Sequence, residues 1–177
     1  MSNEIYIKTD RLLLRPLKIS DANDVFEWVS DERVSKYMVY NTYTDIEQVK
    51  KWLSFVEQDK STYNFGFERI SDGKLIGSGD IGFDDEKGYW VFGYNFRYDC
   101  WGMGYATEAT KAMINYVHRN FGARKFASSH CEPNLASGNV IKKCGLHFVR
   151  YGEFQKLDGS MRMRSMEYEG EILHLVY

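Results

Sequence analysis

Long apolar runs are missing from this chain of 177 residues. None approaches the roughly 20 residues that a membrane-spanning helix needs, so no membrane role is expected. Cysteine is scarce, and Cys100, Cys131 and Cys144 have neither metal-like nor redox-like spacing. An odd number of thiols suits a reducing compartment, and no metal site is expected. Met-Ser-Asn-Glu-Ile-Tyr lacks the basic and apolar blocks of a signal peptide, which makes the expected location cytoplasmic. Charge of one sign is lacking too: the net charge is −2 with acids and bases interspersed, so no nucleic-acid partner is expected. Only two prolines occur, Pro16 and Pro133, and no linker, repeat or low-complexity segment divides the chain. What remains is a chain 44% hydrophobic and 16% aromatic, suited to one globular domain with a real core.

The pattern of periodicities predicts mixed α/β structure. Arg11–Arg15 reads as a first strand ending at Pro16, and Ser20-Asp21 as the cap of a helix carrying Val25, Phe26 and Val29. Asp31 to Met38 reads as a short helical turn. Thr44 with Glu47 reads as the capping box of a longer helix with Ile46, Val49, Trp52, Leu53 and Val56 on its apolar face. Strands follow at 64–70, 74–83 and 89–96, joined by hairpin-type turns. Then come a helix after Gly104, a strand at 125–130, a short helix from about Ser137 to Gly145, and two strands at 147–155 and 164–175.

The chemistry-bearing stretch is Trp101-Gly102-Met103-Gly104-Tyr105-Ala106-Thr107-Glu108-Ala109. A glycine turn that opens a helix presents several backbone N–H groups to one point, and the helix dipole adds to them. The turn is thus a holder for phosphate or pyrophosphate. A nucleoside-triphosphatase loop needs Gly-Lys-Ser/Thr, which the sequence lacks. A dinucleotide fingerprint would place its third glycine at Thr107. Its acidic residue about 20 positions further on is also missing.

The same residues resemble the acetyl-CoA loop of the GNAT N-acetyltransferases, whose usual form is Gln/Arg-x-x-Gly-x-Gly/Ala. Here Trp101-x-x-Gly104-x-Ala106 departs from it only at the first position. The nine-residue stretch is similar to the branch of ribosomal-protein alanine/serine N-terminal acetyltransferases. So are Thr9-Asp10-Arg11-Leu12-Leu13-Leu14-Arg15-Pro16-Leu17 near the start and Asn134-x-x-Ser137-x-x-Val140-Ile141-x-Lys143-x-Gly145 near the end. This resemblance implies one GNAT domain over residues 9–177 after a short extension, 1–8. Its fold would be a mostly antiparallel sheet of about seven strands, splayed in the middle and flanked by helices.

It also implies a function: acetyl-CoA as cosubstrate and transfer of acetyl to a primary amine by direct attack in a ternary complex. The branch points to a peptide or protein α-amino group as acceptor. Relatives of the fold also acetylate polyamines, aminoglycosides and amino acids, and the near-neutral charge favours none of them. The amides of Trp101, Gly102, Met103, Gly104, Tyr105, Ala106 and Thr107 would hold the pyrophosphate. The backbone of Phe96 or a neighbour would hold the pantetheine arm and polarise the thioester. Asn134 would contact the arm, although Asn-x-x-Ser after proline is also how a helix cap is written. Many members protonate the thiolate with a tyrosine four residues after the Ser137 position; here Ile141 stands there, leaving Ser137 as the candidate. The branch's strand Glu is absent from Val91-Phe92-Gly93-Tyr94, so the proton acceptor stays open among Asp80, His130, Glu132 and water. Arg11 and Arg15 read as residues on the polar face of a strand. Tyr37, Tyr40 and Tyr43 read either as acceptor-site lining or as solvent-exposed loop. Arg124-Lys125 reads as a surface pair or a contact to the 3′-phosphate. The chain is expected to be a monomer or homodimer. A non-catalytic acyl-CoA-binding module and a nucleotide-binding oxidoreductase are the competing classes.

Overall fold

The structure, a computed structural model, describes residues 5–177. Eight strands form one sheet: β1 (Ile7–Lys8), β2 (Leu12–Arg15), β3 (Thr62–Arg69), β4 (Lys74–Asp84), β5 (Tyr89–Phe96), β6 (Lys125–Cys131), β7 (His147–Gln155) and β8 (Arg162–Glu171). Their order across the sheet is β1-β2-β3-β4-β5-β6-β8-β7, with every pair antiparallel except β5–β6. Five helices flank it: α1 (Ala22–Val29), α2 (Glu32–Ser35), α3 (Ile46–Gln58), α4 (Tyr105–Phe121) and α5 (Leu135–Lys143). The strand beyond the expected seven is β1, whose two residues pair with Leu13 and Leu14. Among the described residues no helix is long and apolar enough to cross a membrane.

Neighbouring residues of a strand point to opposite faces, so the sheet buries two cores. Leu75 packs with Leu17, Val25, Trp28, Val49 and Leu53 beneath α1 and α3. Ile76 and Ile81 pack with Phe65, Phe67, Phe92, Met113 and Ile141 beneath α4 and α5. A cleft between the cores can therefore be lined from both faces.

Two local expectations shift. Asp45, not Thr44, caps α3: its carboxylate accepts from the Glu47 amide at 2.9 Å, while Gln48 Oε1 accepts from the Asp45 amide at 3.1 Å. The stretch Thr44-Asp-Ile-Glu-Gln48 contains the box pattern twice, one residue apart. Neither Ser20 nor Asp21 caps α1 with its side chain. The Asp21 carboxylate is taken by the Lys18 amide (2.8 Å) and by Arg15 (2.9 Å).

Candidate active site

Strands β5 and β6 pair only at Trp90↔Phe126 and Val91↔Ala127 and then part. The bond from the Arg97 amide to the Ile76 carbonyl sets the alternation along β5. By it, the N–H and C=O groups of Phe92, Tyr94 and Phe96 point away from β4 and into the gap. Two of these carbonyls are used, Phe92 by Ser128 Oγ (2.9 Å) and Phe96 by the Trp101 indole N–H (2.9 Å). The part of Phe96 left for a ligand is thus its N–H. A cleft of about 820 Å³ runs through this gap to both faces of the sheet.

On one side stands the glycine turn. Gly102 and Gly104 have φ of 74° and 84°, values that exact a strain from any residue with a Cβ. Gly104 is the N-cap of the 17-residue α4. None of the amides from Gly102 to Thr107 has a hydrogen-bond partner among the described residues; the first one used is that of Glu108, on the Gly104 carbonyl. Six free amides at the positive end of a long helix make an anion cradle. Trp101 and Met103 are about half exposed beside it.

Arg11 is not merely on the polar face of a strand. Its Nη1 donates to the Met103 carbonyl at 2.9 Å and its guanidinium binds the Glu108 carboxylate at 2.7 Å. Its plane also lies over the Tyr105 ring. The same carboxylate accepts from the Thr9 hydroxyl (2.7 Å) and the Arg11 amide (2.9 Å), tying the chain before β2 to the first turn of α4. Nothing in the sequence marked this brace, because its partners are 92 and 97 residues away.

Next to the gap, Asn134 caps α5 through the Ser137 amide at 3.4 Å. α5 therefore starts at Leu135, two residues before the expected start. The Ser137 hydroxyl lies 3.0 Å from the Tyr94 hydroxyl, which also donates to the Ser137 carbonyl at 3.1 Å. Burial holds the Tyr94 phenol well above its ordinary value, so it carries its proton at neutral pH. Sequence reasoning missed Tyr94. Ile141 is fully buried in the core.

Across the sheet the cleft is lined by Trp28, Tyr37, Tyr40, Tyr43 and Trp52, which places the tyrosine cluster in the cleft wall. Asp80 enters from the same side, since Ile81 beside it faces the α4 core. It stands between Asn64 on β3 and Gly93 on β5. A Cβ at Gly93 would come within 3.2 Å of the Asp80 carboxylate. Burial, with a smaller push from the Asp59 charge, raises the Asp80 carboxyl to about 6. The other two proton-acceptor candidates are occupied. His130 is wedged under Gly138 of α5 and bonded to the Cys131 carbonyl and the Tyr168 hydroxyl. Glu132 is paired with Arg164 at 2.6 Å, which lowers its carboxyl below the usual range.

Cys100 and Cys131 line the cleft but are buried, and burial pushes both thiols up, away from a nucleophilic thiolate. Arg124 and Lys125 lie past the far end of α4, about 25 Å along its axis from the glycine turn. They line a separate surface depression with Phe83 and Trp90.

Residues 11–147 match the family described as Acetyltransferase (GNAT) domain. The chain is 30% identical over 162 residues to an uncharacterized N-acetyltransferase, p20, of Bacillus licheniformis, covering 86% of this chain and 89% of that one. Its fold matches the Microcin C7 self-immunity acetyltransferase MccE, solved in complex with acetyl-CoA and AMP. The TM-score is 0.79 at 15% identity, over 93% of this chain and 94% of that one. It also matches the acetyl transferase of Salmonella typhimurium that modifies the N-terminal serine of 50S ribosomal subunit protein L7/L12. There the TM-score is 0.77 at 16% identity, over 95% and 99% of the two chains. The divided sheet, the glycine turn and these likenesses agree: the chain belongs to the GNAT family of acetyltransferases.

Proposed function

We propose that this protein is an acetyl-CoA-dependent N-acetyltransferase in which a primary amine attacks the thioester directly. The observation that carries the reading is the run of six unpartnered amides, Gly102 to Thr107, opening α4 beside unpaired backbone of β5. The pyrophosphate sits on those amides. The pantetheine arm lies in the gap between β5 and β6, and the amide of Phe96 faces the oxygen on which charge develops. Asn134 holds the first turn of α5 so that Ser137 faces the departing sulfur. Ser137 gives that sulfur a proton, with the Tyr94 hydroxyl 3.0 Å behind it. The buried thiols of Cys100 and Cys131 leave no thiolate for a covalent acetyl-enzyme, which favours the direct route. The free Asp80 carboxylate and the Ser137–Tyr94 pair also weigh against an acyl-CoA-binding module without chemistry.

Calorimetry with acetyl-CoA tests the donor site, using the protein and its Gly104→Glu variant. The variant puts a side chain and a negative charge where a pyrophosphate must approach the backbone, in a φ that resists any side chain. Binding should be lost; an unchanged dissociation constant would refute the placement. Thiol release from acetyl-CoA that depends on added amine separates the enzyme from a binding module.

A further inference from the structure

The proton acceptor and the chemical class of the acceptor amine can be read from the opposite mouth of the cleft. We propose that the acceptor is a compact apolar monoamine, an arylalkylamine or similar, whose ammonium group meets Asp80 and gives up its proton there. This rests on the donor placement given under Proposed function.

Charge supplies the first argument. Of the described residues lining the cleft, Asp80 is the one acid. No hydrogen bond or ion pair from a described residue neutralises its carboxylate, whereas His130 and Glu132 are both engaged. Gly93 leaves open the side of the carboxylate that a Cβ would crowd. One carboxylate matches one ammonium. A polyamine or an aminoglycoside would bring several cationic groups into a wall of tryptophan and tyrosine that offers no further counter-charge.

The wall itself is the second argument. Trp28, Tyr37, Tyr40, Tyr43 and Trp52 form an apolar surround. An aromatic or branched body matches that wall.

Closure is the third. The turn between β7 and β8 is strapped across the loop after α2. Lys156 Nζ donates to the carbonyls of Ser35 (2.9 Å), Met38 (3.0 Å) and Tyr40 (2.7 Å). The Leu157 amide donates to Val39 at 2.8 Å, and Asn41 donates to Asp158. Leu157 and Val39 both line the cleft, so the strap forms part of its wall beside the tyrosine cluster.

The protons balance. The ammonium loses one proton to Asp80, which returns it to water. The nitrogen lone pair forms the bond to the thioester carbon and the carbon–sulfur bond breaks. The second proton that nitrogen loses equals the one that sulfur takes through Ser137, leaving a neutral amide and a thiol.

The test is amine-dependent thiol release at saturating acetyl-CoA, with product masses checked. The acceptors are 2-phenylethylamine, spermidine, kanamycin and a serine-initiated peptide, assayed with the full chain and with Asp80→Asn. The expected result is a kcat/KM for 2-phenylethylamine at least tenfold above the other three. Asp80→Asn should lower it by about 10²–10⁴-fold, replace the acidic limb set by Asp80 with a rate that keeps rising toward the amine's own pKa, and leave the dissociation constant of acetyl-CoA unchanged. Preference for spermidine, kanamycin or the peptide would overturn the acceptor class. Wild-type turnover and pH profile in Asp80→Asn would overturn the role of Asp80. Failure of the wild-type protein to bind acetyl-CoA would instead overturn the donor reading on which both rest.

Discussion

Replacing Asp80 with asparagine should make the protein more stable at neutral pH. Its carboxyl has an ordinary value of 3.8 and is raised to about 6 in the fold, with burial as the main cause. A group whose proton is held more tightly folded than unfolded costs the fold its ionisation. Between pH 3.8 and about 6 the native state binds more protons than the unfolded chain, so this contribution to stability falls as pH rises and is flat above. The interval corresponds to about 3 kcal/mol, an upper bound because the side chain keeps some contact with water. Asparagine has the same shape and no charge to desolvate. At pH 7.5 the variant should gain up to about 3 kcal/mol, or about 6–12 °C in Tm for a domain of this size. Near pH 4 the two proteins should differ little. Calorimetric melting of both from pH 4 to 7.5 reads the effect, since titrating groups other than Asp59, whose charge acts on Asp80, cancel in the difference. Equal stability at pH 7.5, or a gap that does not grow with pH, would refute the reasoning. A stabilised but catalytically impaired variant would show that the carboxylate is retained at a cost to the fold.

Lys156→Met leaves the carbonyls of Ser35, Met38 and Tyr40 without their shared donor. It should cost about 2–4 kcal/mol in urea unfolding and raise KM for the acceptor alone; a change below about 0.5 kcal/mol would mean the strap is held by other contacts. Ser137→Ala should lower kcat about 10²-fold, and Tyr94→Phe less, with the acetyl-CoA dissociation constant unchanged in both. Equal kcat in all three proteins would remove the hydroxyl pair from proton transfer. Arg11 is 45% exposed in its side chain, so Arg11→Ala should cost under about 1 kcal/mol of stability. It releases the Met103 carbonyl and should weaken acetyl-CoA binding about fivefold by calorimetry, roughly one hydrogen bond's worth of loop order.

Where the fold was legible, a strong local period was the reason. Tyr89–Phe96 and His147–Gln155 are strands with the expected limits because their turns, ending in Gly88 and centred on Asp158-Gly159, punctuate them. β1 was not legible: two residues have no period, and Ile7–Lys8 is a strand only because β2 offers it an edge. β8 was expected to run to Leu175 and ends at Glu171. Beyond it the tail leaves the sheet, and Val176 exchanges two 2.9 Å hydrogen bonds with the Asn115 side chain on α4. An apolar, β-prone tail packed on a helix reads the same as a strand until its partner is known.

The two halves of the site differ in the same way. An anion cradle made from consecutive amides is a property of one short segment, so its glycines, its helix and its chemistry can be read in line. Arg11 and Lys156 act on partners dozens of residues away, and each looks like an ordinary surface charge until the strands are paired. Asp80 stands out in the sequence only as one of several candidate groups, and its burial beside Gly93 emerges only once β4 and β5 are paired. Tyr94 is the instructive case. The position one helical turn after Ser137 holds Ile141, packed in the core. The phenol arrives instead from β5, whose side chains alternate so that Phe92, Tyr94 and Phe96 share the face beneath α5. Once Phe96 is set beside the gap, that alternation alone puts a hydroxyl two residues away on the Ser137 side. The chemistry constrains a point in space, and the fold reaches it from whichever strand or helix passes close enough.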